Sequence, residues 1–209
     1  MSSYIMHMCI SDVVRKKLGL TEKFVYGSVL PDILKTIQND RTSTHYIEKV
    51  TLPNGDIRNL PQIDKAIKQL DIRDREIKLG YIAHLIEDYI WFNEYIPSYT
   101  KRISAEQVLY LETGELHTNN EFGQDIYSDY ANSSFYVTNS CNVNIYELIS
   151  NIEQIVSDKK YLEVMLPNLT CNENVDVASN KLMTKESIDK YINQCTNEVQ
   201  SAILKLMGE

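Results

Sequence analysis

Glycine and proline are scarce in this chain, with seven and five among 209 residues. Both are the usual residues of tight turns, so their shortage disfavours a fold of many short strands and favours helices. Cysteine is also sparse. Cys9, Cys141, Cys171 and Cys195 stand far apart, with no CxxC pair, which excludes a dense disulfide framework. They read as reduced cysteines of an intracellular protein. No run of 18 apolar residues occurs, so no membrane-spanning helix is expected. The first residues carry no basic segment before Arg15 and no small-residue cleavage site, and the expected location is therefore cytoplasmic. Positive charge is short as well: 21 Lys and Arg stand against 29 Asp and Glu, a net charge of -8. A protein that grips nucleic-acid backbones wants a basic face, and this chain has no such signal. A metal enzyme that meets phosphate through its ions stays open.

What is present is ordinary for a globule: 43% apolar and 24% charged residues. The length suits one domain over residues 1–209. Apolar spacing predicts helices over 8–18, with Gly19 in the C-cap region, and over 27–38. A polar, irregular stretch follows from 39 to 61, and its Pro53-Asn54-Gly55-Asp56 turn signal suggests a small hairpin insertion near 50–58. The most definite segment runs from 73 to 95, where Ile77, Tyr81, Ile82, Leu85, Ile86, Tyr89 and Ile90 recur at spacings of three and four. It is apolar over a wide arc, so it is expected to be central, with Pro97 ending it. Further helices are expected over 104–112, 121–131, 143–157 and 184–207, the last capped by Thr184. The stretch 167–180 reads as a loop. The fold class expected is all-α, a single-domain multi-helix bundle.

The histidines are four: His7, His45, His84 and His117. His84 and Asp88 lie one helical turn apart in LGYIAHLIEDYIWF and point the same way. Imidazole and carboxylate on one face make a metal clamp, or else a His–Asp hydrogen bond that satisfies two core groups. His7 sits in an apolar run, where a buried structural histidine is the plain reading. Asp32 follows a proline in GSVLPDIL and suits a helix N-terminal cap. His45, in STHY, suits a solvated loop. Asp125 and Asp129, at i and i+4, suit a solvated acidic helix face. His117 reads as surface, and Trp91 as core or as a neighbour of the His84–Asp88 pair.

Taken together, His7, GSVLPD with Asp32, THY with His45, and GYIAHLIED with His84 and Asp88 resemble the zinc-dependent phospholipase C family, which is related to the S1/P1 nucleases. The resemblance spans roughly residues 4–130. It implies an all-helical fold of that type and one to three zinc ions. It implies Asp32, His45, His84 and Asp88 at one ion, and His7 at a second ion that shares Asp88. By the same resemblance Asp125 and Asp129 stand where a later pair of ligands to a third ion would lie, although the histidines usual there are missing. The implied activity is hydrolysis of a phosphoric ester, either a small molecule or a lipid headgroup, by a metal-activated water; Asp32 is the candidate general base if it is not a firm ligand. The missing histidines favour one alternative, a metal-binding or interaction protein on the same scaffold with reduced catalysis. A nuclease or phosphatase acting on small substrates is a further alternative, and the acidic charge speaks against long nucleic acids.

Overall fold

A computed structural model of the chain describes residues 3–52, 57–169, 171 and 175–208. Its helices begin where small polar side chains can take up free backbone N–H groups. Ser3 caps α1 (Tyr4–Leu18) by accepting from Met6 N–H, and Gly19 closes it in the left-handed conformation. Thr21 caps α2 (Glu22–Gln38). Both helices thus start earlier than apolar spacing alone predicts, because the caps and not the first apolar residue mark the start. Asp32 is accordingly no N-cap but an interior residue of α2, next to Pro31.

The stretch 39–61 holds a single helical turn, α3 (Arg41–Thr44), and the antiparallel strands β1 (Ile47–Thr51) and β2 (Ile57–Pro61). The expected hairpin is therefore present, while its turn at Pro53-Asn54-Gly55-Asp56 lies outside the described residues. After α4 (Ile63–Gln69) comes α5 (Arg75–Ile90), whose N-cap Asp74 accepts from the N–H groups of Glu76 and Ile77.

Pro97 does not end this helix. The chain continues through a π-helical turn, Trp91–Tyr95, into α6 (Ile96–Tyr99). A proline inside a helix removes the N–H that would serve the carbonyl four residues back. Here that carbonyl belongs to Asn93, and Arg58 of β2 donates to it at 2.7 Å.

The helix expected over 104–112 is instead part of a three-stranded antiparallel sheet, β3 (Thr100–Arg102), β4 (Gln107–Tyr110) and β5 (Leu116–Thr118). In β4 Val108 and Tyr110 are buried while Gln107 is exposed. This is the two-residue alternation of a strand, too short to separate from a helical turn by spacing. The remaining helices are α7 (Asn119–Ser140), α8 (Ile145–Ile155), α9 (Lys159–Met165) and α10 (Lys185–Met207). A Thr118–Glu121 capping box starts α7, and Thr184 caps α10 as expected. The fold is all-α in class, as expected, with two small strand insertions.

Helix α5 occupies the centre. Its Tyr81, Ile82, Leu85 and Ile90 are buried among side chains of α1, α2 and α10. Its contact with α2 is made in part by bare backbone. A Cβ on Gly80 would lie 1.9 Å from the Phe24 carbonyl oxygen, and one on Gly27 would lie 2.2 Å from that of Ile77. Only glycine at both positions permits this approach. The next turns of both helices carry the polar residues singled out above.

Candidate metal centre

Four helical segments deliver the five residues. His7 comes from α1, Asp32 from α2, His45 from the end of α3, and His84 and Asp88 from α5. Each imidazole is 0% exposed, as is Asp88, and Asp32 is 2% exposed. His45 is thus buried and not a solvated loop residue.

The orientation of the rings follows from their Nδ1 partners. His84 Nδ1 lies 2.7 Å from the Ser28 carbonyl oxygen. A carbonyl only accepts, so Nδ1 carries the proton and Nε2 keeps its lone pair. The same inference holds for His45. Its Nδ1 lies 3.0 Å from Thr44 Oγ1, whose own proton goes to the Asp40 carbonyl at 2.8 Å. His45 Nδ1 must therefore donate, which leaves Nε2 unprotonated. His7 Nδ1 is held by Glu87 Oε2 at 2.8 Å.

The three Nε2 atoms converge on two carboxylates. Asp88 Oδ1 is 3.8 Å from His7, and Asp88 Oδ2 is 3.9 Å from both His45 and His84. Asp32 Oδ1 is 3.3 Å from His45 Nε2. The His7 and His84 rings stack at 3.9 Å, with His45 edge-on to His84 at 5.0 Å. His45 Nε2, His84 Nε2 and Asp88 Oδ1 are buried without a hydrogen-bond partner. An orphaned buried polar atom costs roughly 1–3 kcal/mol, and both nitrogens face the Asp88 carboxylate. Ligand atoms of His7, Asp32 and His84 lie within 4.8 Å of one another, as do those of His45, His84 and Asp88.

Electrostatics keep the lone pairs available. Burial pulls the His84 imidazole down to about 4 and His7 well below its ordinary value, so both are neutral at neutral pH. For Asp32 burial pushes upward, but the Lys35 ammonium, 3.1 Å away, holds the carboxyl below the usual carboxylate range. Neutral imidazole nitrogens and ionised carboxylates are the donor set of zinc.

The family profile described as zinc dependent phospholipase C matches residues 20–202. The chain belongs to that family. Comparison with curated proteins and with solved structures brings no match. His7 lies ahead of the segment matched by the zinc-dependent phospholipase C profile, yet the fold brings it against His84 and Asp88.

Asp125 and Asp129 belong to neither close group of possible ligands among the described residues. Asp129 accepts from the backbone N–H groups of Lys181, Leu182 and Met183 at 2.8–3.0 Å. It is buried and ties α7 to the start of α10, so it is not part of a solvated acidic face. Asp125 accepts from the Tyr110 hydroxyl at 2.8 Å and pairs with Lys181 at 3.3 Å. His117 is not a bare surface residue either. It stacks on Tyr110 at 4.0 Å and lies 3.4 Å from Asp125. Trp91 is core, stacked on Tyr95 at 4.4 Å.

Sequence reasoning missed Glu87, which is 0% exposed and fixes His7. Its signal was present: two adjacent acids, Glu87-Asp88, inside an apolar helix. Burial, with the adjacent Asp88 charge, pushes the Glu87 carboxyl well above its ordinary value. Arg41, 3.4 Å from Asp88 Oδ2, was missed too. It becomes visible only once 41–45 is known to be a helical turn.

Proposed function

We propose that the chain hydrolyses phosphoric esters at a zinc centre held by His7, Asp32, His45, His84 and Asp88. The observation that carries this reading is the set of unprotonated, partnerless Nε2 atoms of His45 and His84, buried opposite Asp88. A protein with no use for a cation would have filled or paired such atoms. The division of Asp88 supports a bridging role, since its Oδ1 faces His7 while its Oδ2 faces His45 and His84. Zinc bound there supplies a Lewis acid for phosphate oxygens and lowers the pKa of water.

The chain's own residues do the rest. Ser28 and Thr44 fix the tautomers of His84 and His45, and Glu87 fixes the ring of His7. Where Asp32 does not itself bind the cation, it is the candidate to take the proton of the attacking water. The substrate class is a phosphodiester, either a lipid headgroup ester or a smaller molecule. Local cation charge admits it despite the net charge of -8.

A second reading, a metal-binding protein with reduced turnover, rests on one observation: Asp125 and Asp129 are engaged elsewhere, so they add nothing to the centre. Turnover of bis(p-nitrophenyl) phosphate separates the two. Hydrolysis that a chelator abolishes and added zinc restores is the expected result. Zinc uptake without turnover would establish the second reading.

A further inference from the structure

The turn α3 carries one cation that the zinc centre itself does not require. Arg41 Nη2 lies 3.4 Å from Asp88 Oδ2, and its guanidinium sits 4.9 Å above the Phe92 ring. Asp88 is fully buried, whereas the Arg41 side chain is 37% exposed. The guanidinium therefore spans from the buried cluster to solvent. Its Nε is buried without a hydrogen-bond partner.

A guanidinium has five N–H donors in a planar fork and stays charged at every accessible pH. The contact with Asp88 is long and engages one corner of that fork. Stacking over Phe92 fixes the plane while using no donor. The result is an oriented, incompletely satisfied fork at the rim of a carboxylate and imidazole cluster. Such a fork matches the spacing of two oxygens on one phosphorus. A simple counter-ion for Asp88 would need neither the aromatic platform nor the reach to solvent.

We propose that Arg41 is a phosphate anchor, whose guanidinium donates to the non-bridging oxygens of the ester at the rim of the centre. This rests on the zinc-hydrolase reading above. Its role is binding and orientation of the phosphate at the rim beside Asp88.

The test compares the parent protein with Arg41→Gln, Arg41→Lys and a remote charge control, Lys185→Gln. Zinc per chain is measured by elemental analysis, and inorganic phosphate is titrated into each zinc-loaded protein by calorimetry. The expected result is unchanged zinc in all four and phosphate affinity weakened about tenfold or more in Arg41→Gln. Arg41→Lys should fall between, because it keeps the charge and loses the fork, and Lys185→Gln should match the parent. Equal phosphate affinity in Arg41→Gln and parent would overturn the proposal and leave the zinc reading intact. Loss of zinc in both Arg41 variants would overturn it too, by showing that the arginine serves Asp88 alone. A parent protein that takes up no zinc would sink the zinc reading itself, and the anchor with it.

Discussion

Histidine, aspartate and a tyrosine-rich surrounding occur twice in this molecule, and the two places treat them in opposite ways. At the seam of α2 and α5, His45 Nε2, His84 Nε2 and Asp88 Oδ1 are buried with nothing to bond. At the corner where α7 meets β4 and the start of α10, Asp129 takes three backbone N–H groups, and Asp125 takes a tyrosine hydroxyl and a lysine. In the second region both carboxylates are taken up by protein donors that tie elements together. The first leaves ligand-type atoms unpaired, which is what the proposed cation would satisfy. Residue type does not separate the two regions; what differs is whether their carboxylates and imidazoles find protein partners.

The largest expected effect tests that contrast directly. Asp88→Asn should remove most bound zinc and phosphodiesterase activity, and abolish the rise in melting temperature that zinc gives the parent. Asp125→Asn and Asp129→Asn should keep the zinc, read by elemental analysis. Asp129→Asn should instead cost about 1–3 kcal/mol of stability in a denaturant melt, because an amide serves the three N–H groups poorly. If Asp129→Asn lost zinc as Asp88→Asn does, the two regions would not differ as described.

Gly80→Ala comes next. Its added methyl meets the Phe24 carbonyl oxygen, and backbone cannot swing aside as a side chain does. We expect a loss of about 3 kcal/mol from overpacking, with zinc affinity falling because His84 leaves the Ser28 carbonyl. Gly123→Ala, where no atom lies within 4 Å, is the control. Equal stability of the two variants would show that the seam yields.

The smallest effect concerns pH and the zinc-free protein. His84 is held down to about 4 in the folded state, against an ordinary value of 6.5. Between those values the unfolded chain binds a proton that the folded chain refuses. Stability should therefore fall as pH drops from about 6.5 toward 4, and be fully present above that window. Melting temperatures of the chelated protein across this range check it, and a flat profile would mean that the buried imidazoles accept protons freely.

Much of the fold was legible because long amphipathic helices announce themselves. Ile77 to Ile90 predicts the central helix, and Thr184 its capped C-terminal partner. What sequence did not reveal has local physical causes. Pro97 reads as a terminator until Arg58, 39 residues earlier, takes over the Asn93 carbonyl; no local pattern records that donor. The four residues of β4 are too few for a period. At the centre, the clamp of His84 and Asp88 is visible as spacing. The burial of His45 is not, because it depends on a four-residue helical turn that spacing does not reveal. The role of Glu87 is hidden for a related reason. Its meaning lies in His7, eighty residues away, and only the packing of α1 on α5 joins them.

The contact of Gly27 with α5 and of Gly80 with α2 has a consequence for tolerance to change. Where two helices are spaced by side chains, repacking in outer layers shifts their axes by fractions of an ångström, and any centre between them drifts. Here the separation is set by main-chain atoms in direct contact, a stop that no rotamer can relax. Asp32 and His84 inherit their spacing from that stop. Substitutions on the outer faces of α8, α9 and α10 should therefore disturb the centre less than a methyl added at either of two small residues that lie outside it.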